Sequence, residues 1–212
     1  NKVLSLDPTL HSISEIENIK KIYKNSNVTL DILEINPVDL FWINQPKKPI
    51  SHAFIHDIKF AGESSSSKIK RIQKKIKKNF IDFYLLTSLE SIAWLLNIRG
   101  NDIENTPLLF CSVIIPCEGK IELFIENDKI KNILDYTLKI SNVNSLLDIQ
   151  KYINLIEANK TIGIDEKTCS YFYKIICIKK NLQVNKLEDP CTYPKAIKNK
   201  TELDGARNAN IR

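Results

Sequence analysis

Apolar residues recur along this chain with two periods, 3.6 and 2, and the switches between them mark out the elements. Lys2–Leu6 reads as a short strand tail that closes at Asp7-Pro8. Ser12 and Glu15 form a capping box ahead of Ile16, Ile19, Ile22 and Tyr23, which share one helical face. Val28, Leu30 and Ile32 alternate as a strand. From Pro37 to Pro49 the prolines break any period, so the stretch reads as a linker with Phe41-Trp42 as an anchor, and Ile50–Phe60 reads as extended chain.

A second unit begins near Phe60-Ala61-Gly62-Glu63. The serines at 64–67 supply an N-cap for a helix whose Ile69, Ile72 and Ile76 fall on one face. Ile81, Phe83 and Leu85 alternate as a strand, and Thr87 with Glu90 caps a short helix through Trp94. Leu108–Ile115 is a nearly unbroken apolar run, as a central strand requires, and Glu118-Gly119-Lys120 turns it back into Ile121–Ile125 as a hairpin. Helical patterns follow at Ile130–Leu138 and Leu146–Glu157, then a strand at Thr161–Asp165, a helix at Thr168–Ile178 and a strand at Gln183–Leu187. Strands alternating with helices, with one hairpin, predict an α/β domain with a mixed β-sheet flanked by helices. The order Leu6-Asp7, helix, strand, Glu34-Ile35-Asn36-Pro37 is echoed by Ile164-Asp165, helix, strand, Glu188-Asp189-Pro190. The echo suggests two similar domains in tandem, the first present only in its back half.

Composition narrows the function classes. The chain has 212 residues, 43% of them hydrophobic and 26% charged, enough for a core of its own. No apolar run approaches the roughly 18 residues of a membrane span, and nothing at the start reads as a signal peptide. A net charge of +6 comes from 31 basic residues, yet arginine stands only at 71, 99, 207 and 212. Phosphate binders use arginine forks as well as lysines, so the balance reads as lysine-rich composition rather than a nucleic-acid surface. The five cysteines lie mostly in apolar company with no CxxC pair, as reduced, buried thiols of a cytoplasmic protein do. Three Asn-x-Thr sequons, at Asn27, Asn159 and Asn199, follow from the asparagine content. There is no methionine, and Thr201–Arg212 reads as a helix without a stop signal, so the expectation is of a chain cut at both ends.

Candidate chemistry is sparse. The run Lys68–Lys78 carries isoleucines on one face and lysines on the other, without interleaved aromatics for base stacking, so it reads as a solvated helix. His52 and His56 are four apart but lie in extended chain with no third histidine near them in sequence. Asp82, Glu122 and Asp165 sit on strands. Glu122 reads as part of an exposed hairpin face and Asp165 as a helix cap, not as parts of a metal-dependent nuclease. Walker, GxSxG, HExxH and GxGxxG motifs are absent.

One segment is specific. Thr87-Ser88-Leu89-Glu90-Ser91-Ile92-Ala93-Trp94-Leu95-Leu96-Asn97-Ile98-Arg99-Gly100-Asn101-Asp102 resembles the middle-domain signature of the three-domain Xaa-Pro aminopeptidases (aminopeptidase P), with Asn101 in place of the usual Ser. Pro107 and Phe110 match the continuation of that signature. Asp7-Pro8, Val38-Asp39 through Trp42 and Pro46, Phe60-Ala61-Gly62-Glu63, and Pro194 through Ala209 resemble further family elements in the same order. Asn142–Lys160 has no clear match.

The resemblance implies a creatinase N-terminal-like fold. Residues 1–58 would be the end of a first such domain plus linker, 59–190 a second, and 191–212 a linker and the start of the entry helix of a catalytic domain. In that family a pita-bread catalytic domain binds two divalent metals, commonly manganese, through two Asp, one His and two Glu, and cleaves before a penultimate proline. Those ligands would lie beyond Arg212, so this chain would hold no metal or catalytic residue and be inert alone. Its implied partners are its own catalytic domain, peptides with a penultimate proline and, through the parent, a homodimer, but neither nucleic acid nor membrane. Arg99, Asn101 and Asp102 lie on a loop, where binding residues concentrate. Either they face the catalytic domain or the substrate cleft, or Arg99 pins its loop by pairing with Asp102. The alternative to a peptidase portion is a catalytically inactive interaction module of the same fold.

Overall fold

The computed structural model describes residues 2–211. The chain opens with β1 (Lys2–Leu6), α1 (Ile13–Tyr23) and β2 (Val28–Ile32), a β-α-β unit whose two strands pair in parallel. The expected capping box forms: Ser12 Oγ accepts from Glu15 N at 3.2 Å and Glu15 Oε2 accepts from Ser12 N at 2.7 Å. The buried face of α1 is set by Ile13 and Ile16, while Ile22 points to solvent. A short helix α2 (Pro37–Phe41) starts the linker, and Ile50–Phe60, expected to be extended, contains β3 (Phe54–Ile55) and most of α3 (Ile58–Ala61). Phe41 and Trp42 are 80% and 50% exposed, so neither is buried in the core.

The second unit runs through α4 (Ser65–Lys78), β4 (Phe83–Leu86), α5 (Leu89–Leu96), β5 (Ile98–Arg99), β6 (Cys111–Pro116), β7 (Ile121–Ile125), α6 (Asn127–Ile130) and α7 (Leu134–Ile140). It continues with β8 (Ser141–Asn144), α8 (Ile149–Leu155), β9 (Thr161–Ile164), α9 (Tyr171–Lys179) and β10 (Gln183–Lys186), then α10 (Thr192–Ala196) and α11 (Lys200–Ile211). Six strands form one mixed sheet in the order β10-β9-β4-β6-β7-β8. The hairpin strands β6 and β7 pair antiparallel, β4 pairs antiparallel with β6, and the remaining neighbours are parallel. β3 and β5 make a separate two-residue ladder, Phe54 opposite Arg99.

Because side chains alternate across a strand, the sheet feeds two cores. Tyr84, Leu86, Val113, Ile115, Ile121, Leu123 and Ile125 pack with Ile69, Ile72 and Ile76 of α4 and with α5. Leu85, Ile114 and Phe124 face the other way, with Ile162 and Ile164, onto α8, α9 and Ile13 of α1. The result is helix, sheet, helix. Gly163 is needed on β9 because a Cβ there would lie 2.8 Å from both Ile81 Cδ1 and Tyr84 Cδ2.

Three local expectations are corrected. Ser88, not Thr87, caps α5, accepting from Ser91 N, while Thr87 Oγ1 donates to Thr168 O. Asp165 does not cap α9; Ser170 takes the N-cap position, and Asp165 accepts from Lys167 N and Asp189 N. Glu122 is not on an exposed face. β8, which the pattern did not reveal, flanks β7, and Asn142 and Asn144 donate their amides to the Glu122 carboxylate at 2.7 and 2.8 Å.

Candidate functional site

α5 ends where the chain turns through Asn97 in the left-handed region, φ 50°. A helix C-terminus leaves carbonyls without partners and carries partial negative charge, which cationic side chains satisfy. Here Arg99 Nη1 donates to Ala93 O at 2.5 Å, Lys68 Nζ to Trp94 O at 2.9 Å and Tyr136 Oη to Leu96 O at 2.8 Å. Lys68 is only 1% exposed; its second acceptor is Asn97 Oδ1 at 2.8 Å, and its ammonium sits 4.6 Å from the Trp94 ring centroid. The spacing 68, 72, 76 sets Lys68 at the edge of the isoleucine face, although the run as a whole reads as a solvated helix and only the end of α5 draws this lysine inward.

Among the described residues no carboxylate bonds to Lys68; burial pulls its pKa down to about 8, the negative charges of Glu202 and Glu63 opposing the drop and the positive charges of Arg99 and Arg71 adding to it. The unfolded lysine, near 10.4, keeps its proton longer, so between those values the unfolded chain binds more protons and stability rises with pH. Urea titrations at pH 7.5 and 10 should therefore show wild type gaining roughly 2–3 kcal/mol relative to Lys68→Met. Equal pH profiles for the two proteins would show that folding does not lower the Lys68 pKa.

The loop after β5 divides. Arg99 is half-buried and spends Nη1 on Ala93 O and Ile98 O, and Asn101 is exposed. Gly100 is required there, since a Cβ would lie 2.1 Å from Leu109 Cδ2 and 3.2 Å from Ser51 Oγ. Asp102 turns inward. Its Oδ1 accepts from Ser51 N and Ser51 Oγ, and its Oδ2 from Phe110 N and from Lys129 Nζ, the last at 2.5 Å. Burial raises the Asp102 pKa, but the Lys129 bond and then those from Phe110 and Ser51 outweigh it and hold the carboxyl below its usual range. Arg99 therefore does not pair with Asp102; Lys129 does, a partner that no sequence signal marked.

Beside Arg99, α3 and α11 enclose a cleft of about 750 Å³ lined by His56, Lys59, Phe60, Lys198, Glu202 and Asp204 among others. His56 stacks on Phe60, with ring centroids 6.0 Å apart. Burial, then the positive charges of Arg99 and Lys68, lower the His56 pKa. α11 is fixed to α3 by Asn199. Its Nδ2 donates to Ala61 O, its Oδ1 accepts from Glu202 N, and its own N–H donates to Glu202 Oε2, a capping arrangement.

The other candidates stay apart. Asp82 accepts from Thr161 N at the start of β4, Glu122 bonds to β8, and Asp165 lies past the end of β9. His52 is exposed on extended chain. Among the described residues no three His, Cys, Asp or Glu side chains come together as a metal site. On α4, Lys70, Lys74, Lys77 and Lys78 are exposed, with Lys77 paired to Glu118. Among the described residues no helix is long and apolar enough to cross a membrane.

A family model described as Creatinase/Prolidase N-terminal domain matches residues 44–202. A probable Xaa-Pro aminopeptidase P of Ajellomyces capsulatus (strain H143) is 30% identical over 225 residues, covering all of this chain and 35% of the relative. Xaa-Pro aminopeptidase 1 of Dictyostelium discoideum is 35% identical over 172 residues, covering 79% of this chain and 26% of the relative. Among solved structures, X-prolyl aminopeptidase of Caenorhabditis elegans, described as a cytosolic enzyme with a di-nuclear active site, superposes with a TM-score of 0.86. That match is 25% identical and covers 97% of this chain and 34% of the other. The chain thus spans about a third of the length of the curated relatives that match all of it.

Proposed function

Since the chain belongs to the creatinase/prolidase N-terminal domain family, we propose that it is the non-catalytic N-terminal portion of a dinuclear-metal Xaa-Pro aminopeptidase. The observation that carries this reading is the superposition on the C. elegans enzyme across 97% of the chain. In it, residues 1–58 end one creatinase-N-like domain and lead through a linker, 59–190 form a second, and 191–212 lead into a catalytic domain. That domain is this portion's partner and would hold two divalent metals, manganese in our reading. The described residues bring together no ligand set that fits such a centre.

The role of this portion is to shape access to the active site and to pack on the catalytic domain. Arg99 and Asn101 are the residues we assign to the cleft or the domain interface, because Asn101 is exposed on the loop after β5 and Arg99 lies within reach of the charge of Glu202 on α11. Asp102 acts behind them, holding the loop on Ser51, Phe110 and Lys129. Substrates would be peptides with a penultimate proline, and the protein would be cytoplasmic and homodimeric through its parent.

Hydrolysis of Xaa-Pro peptides with added manganese, measured on this chain and on the full product of its gene, tests the reading. Cleavage by the full product alone is the expected result. Cleavage by this chain would place an active site within it, and cleavage by neither would favour a non-enzymatic interaction module.

A further inference from the structure

The unit β1-α1-β2 and the unit β9-α9-β10 carry matching turn bonds, at a constant offset from Asp7 and Asp165 through Ser12 and Ser170 to the first turns of α1 and α9. Each aspartate accepts the N–H two residues on, Thr9 N to Asp7 Oδ1 at 2.8 Å and Lys167 N to Asp165 Oδ1 at 2.9 Å. Each aspartate's carbonyl accepts the following N–H at 3.3 Å, from Leu10 and from Thr168. The second carboxylate oxygen accepts from the residue that closes the unit, Asn36 Nδ2 or Asp189 N. That residue in turn accepts the N–H two positions further, from Val38 or Cys191, ahead of α2 or α10.

The two units also meet each other, and the meeting is reciprocal. Ile13 N donates to Cys169 O at 3.1 Å, and the matching Tyr171 N donates to His11 O at 2.9 Å. Ser14 N donates to Glu166 O at 2.8 Å, and the matching Phe172 N donates to Pro8 O at 2.9 Å. Ser12 and Ser170 lie opposite one another in an antiparallel bridge. Since these two are themselves equivalent, a local two-fold axis passes between them. An interface in which residue i meets j while j meets i is isologous, the form taken by two-fold homodimers.

We propose that this joint is an isologous interface captured within one chain, so that the surface around Glu166–Tyr173 fits a second copy of the same unit. The first unit occupies that surface as a built-in partner. The captured pair has diverged at one matched position. Ile13 is fully buried in the second unit's core, whereas Tyr171, its counterpart, is half-buried with its hydroxyl accepting from Lys20 Nζ at 2.5 Å. A second copy would bring Tyr171 to the Ile13 socket, so the homotypic pair is weaker than the built-in one. The inference stands on backbone geometry and is independent of the peptidase reading.

The test uses the full chain with Ser170→Cys as reporter. Opposed residues of an antiparallel pair lie about 4.5–5.5 Å apart at Cα, within disulfide reach. Ile13→Glu releases the first unit by charging its buried peg. Ser14→Pro, at a helix position that tolerates proline, is a second release that spares the core. Under mild oxidation at high concentration, S170C alone should stay monomeric, and either release variant combined with S170C should give a covalent dimer linked through position 170 of both copies. Adding Tyr171→Ile should raise that dimer several-fold, because isoleucine suits the socket. No such dimer even with Y171I, or equal cross-linking of S170C without release, would overturn the proposal. With Ser12→Cys added to the released S170C chain, a link only between positions 12 and 170 of different chains would also overturn it, since that marks domain exchange.

Discussion

Replacing Asp102 with alanine should cost this chain about 3–5 kcal/mol, read as a fall in the urea midpoint at unchanged slope. The carboxylate is buried and takes four hydrogen bonds, one of them from an ammonium that is itself 2% exposed. Alanine would strand the Lys129 charge and two N–H groups, of Ser51 and Phe110, away from water, which is the expensive way to break a buried pair. Against a domain stability of about 5–15 kcal/mol, the loss approaches unfolding at body temperature. Asp102→Asn keeps an acceptor but not the charge and should fall between. Pairing Asp102→Ala with Lys129→Met should recover much of the loss, giving a coupling energy well above the about 0.5 kcal/mol of independent sites. The carboxyl is held below its unfolded pKa, so its contribution is present above about pH 4 and fades as the pH falls through its folded value. A cost under about 1 kcal/mol would show that the carboxylate does not hold the loop and would reopen a surface role for it.

Gly62→Ala should release α11. Gly62 ends α3 at φ +67°, where a Cβ costs about 1–2 kcal/mol by itself. That Cβ would also lie 2.4 Å from Asn199 Oδ1, the atom that caps α11. Losing the cap adds about 1 kcal/mol. α11 has no buried residue of its own among the described ones, and a twelve-residue helix without packing is marginal in water. Amide exchange from Leu203 onward should therefore quicken at least tenfold, while the six-stranded sheet keeps its protection. Asn199→Ala should give similar fraying, and the double variant should cost less than the sum, since the clash and the cap share one side chain. Unchanged exchange in α11 would mean that Asn199 does not hold it. In our reading α11 leads to the catalytic domain, so in the parent enzyme Gly62→Ala should reduce turnover without touching a catalytic residue.

These two positions show how a motif's residues acquire their reasons. In the Phe-Ala-Gly-Glu element the glycine is fixed by an asparagine that lies 137 positions later along the chain, in the helix it clamps. In the Arg-Gly-Asn-Asp element, Gly100 makes room for Leu109 and Asp102 answers Lys129. A sequence motif names such residues without disclosing which neighbour demands them.

What the sequence determined alone was local or periodic. Ser12 with Glu15 caps a helix, Ile69, Ile72 and Ile76 bury one face of α4, and the glycine turn at 119 joins β6 to β7. Each follows from interactions within a few residues, so propensity and pattern suffice. Tertiary structure alone decided the fate of the charges and of the weakly patterned segments. Lys68 looked like one more solvated lysine, and Glu122 like an exposed carboxylate. One is buried because the end of α5 needs donors, the other because β8 adds two amides beside it. β8 itself, Ser-Asn-Val-Asn, has too little apolar alternation to announce a strand, and its pairing with β7 defines it. Burying a polar group is decided by whether a partner arrives to bond it, and those partners come from distant parts of the chain that only the fold brings near.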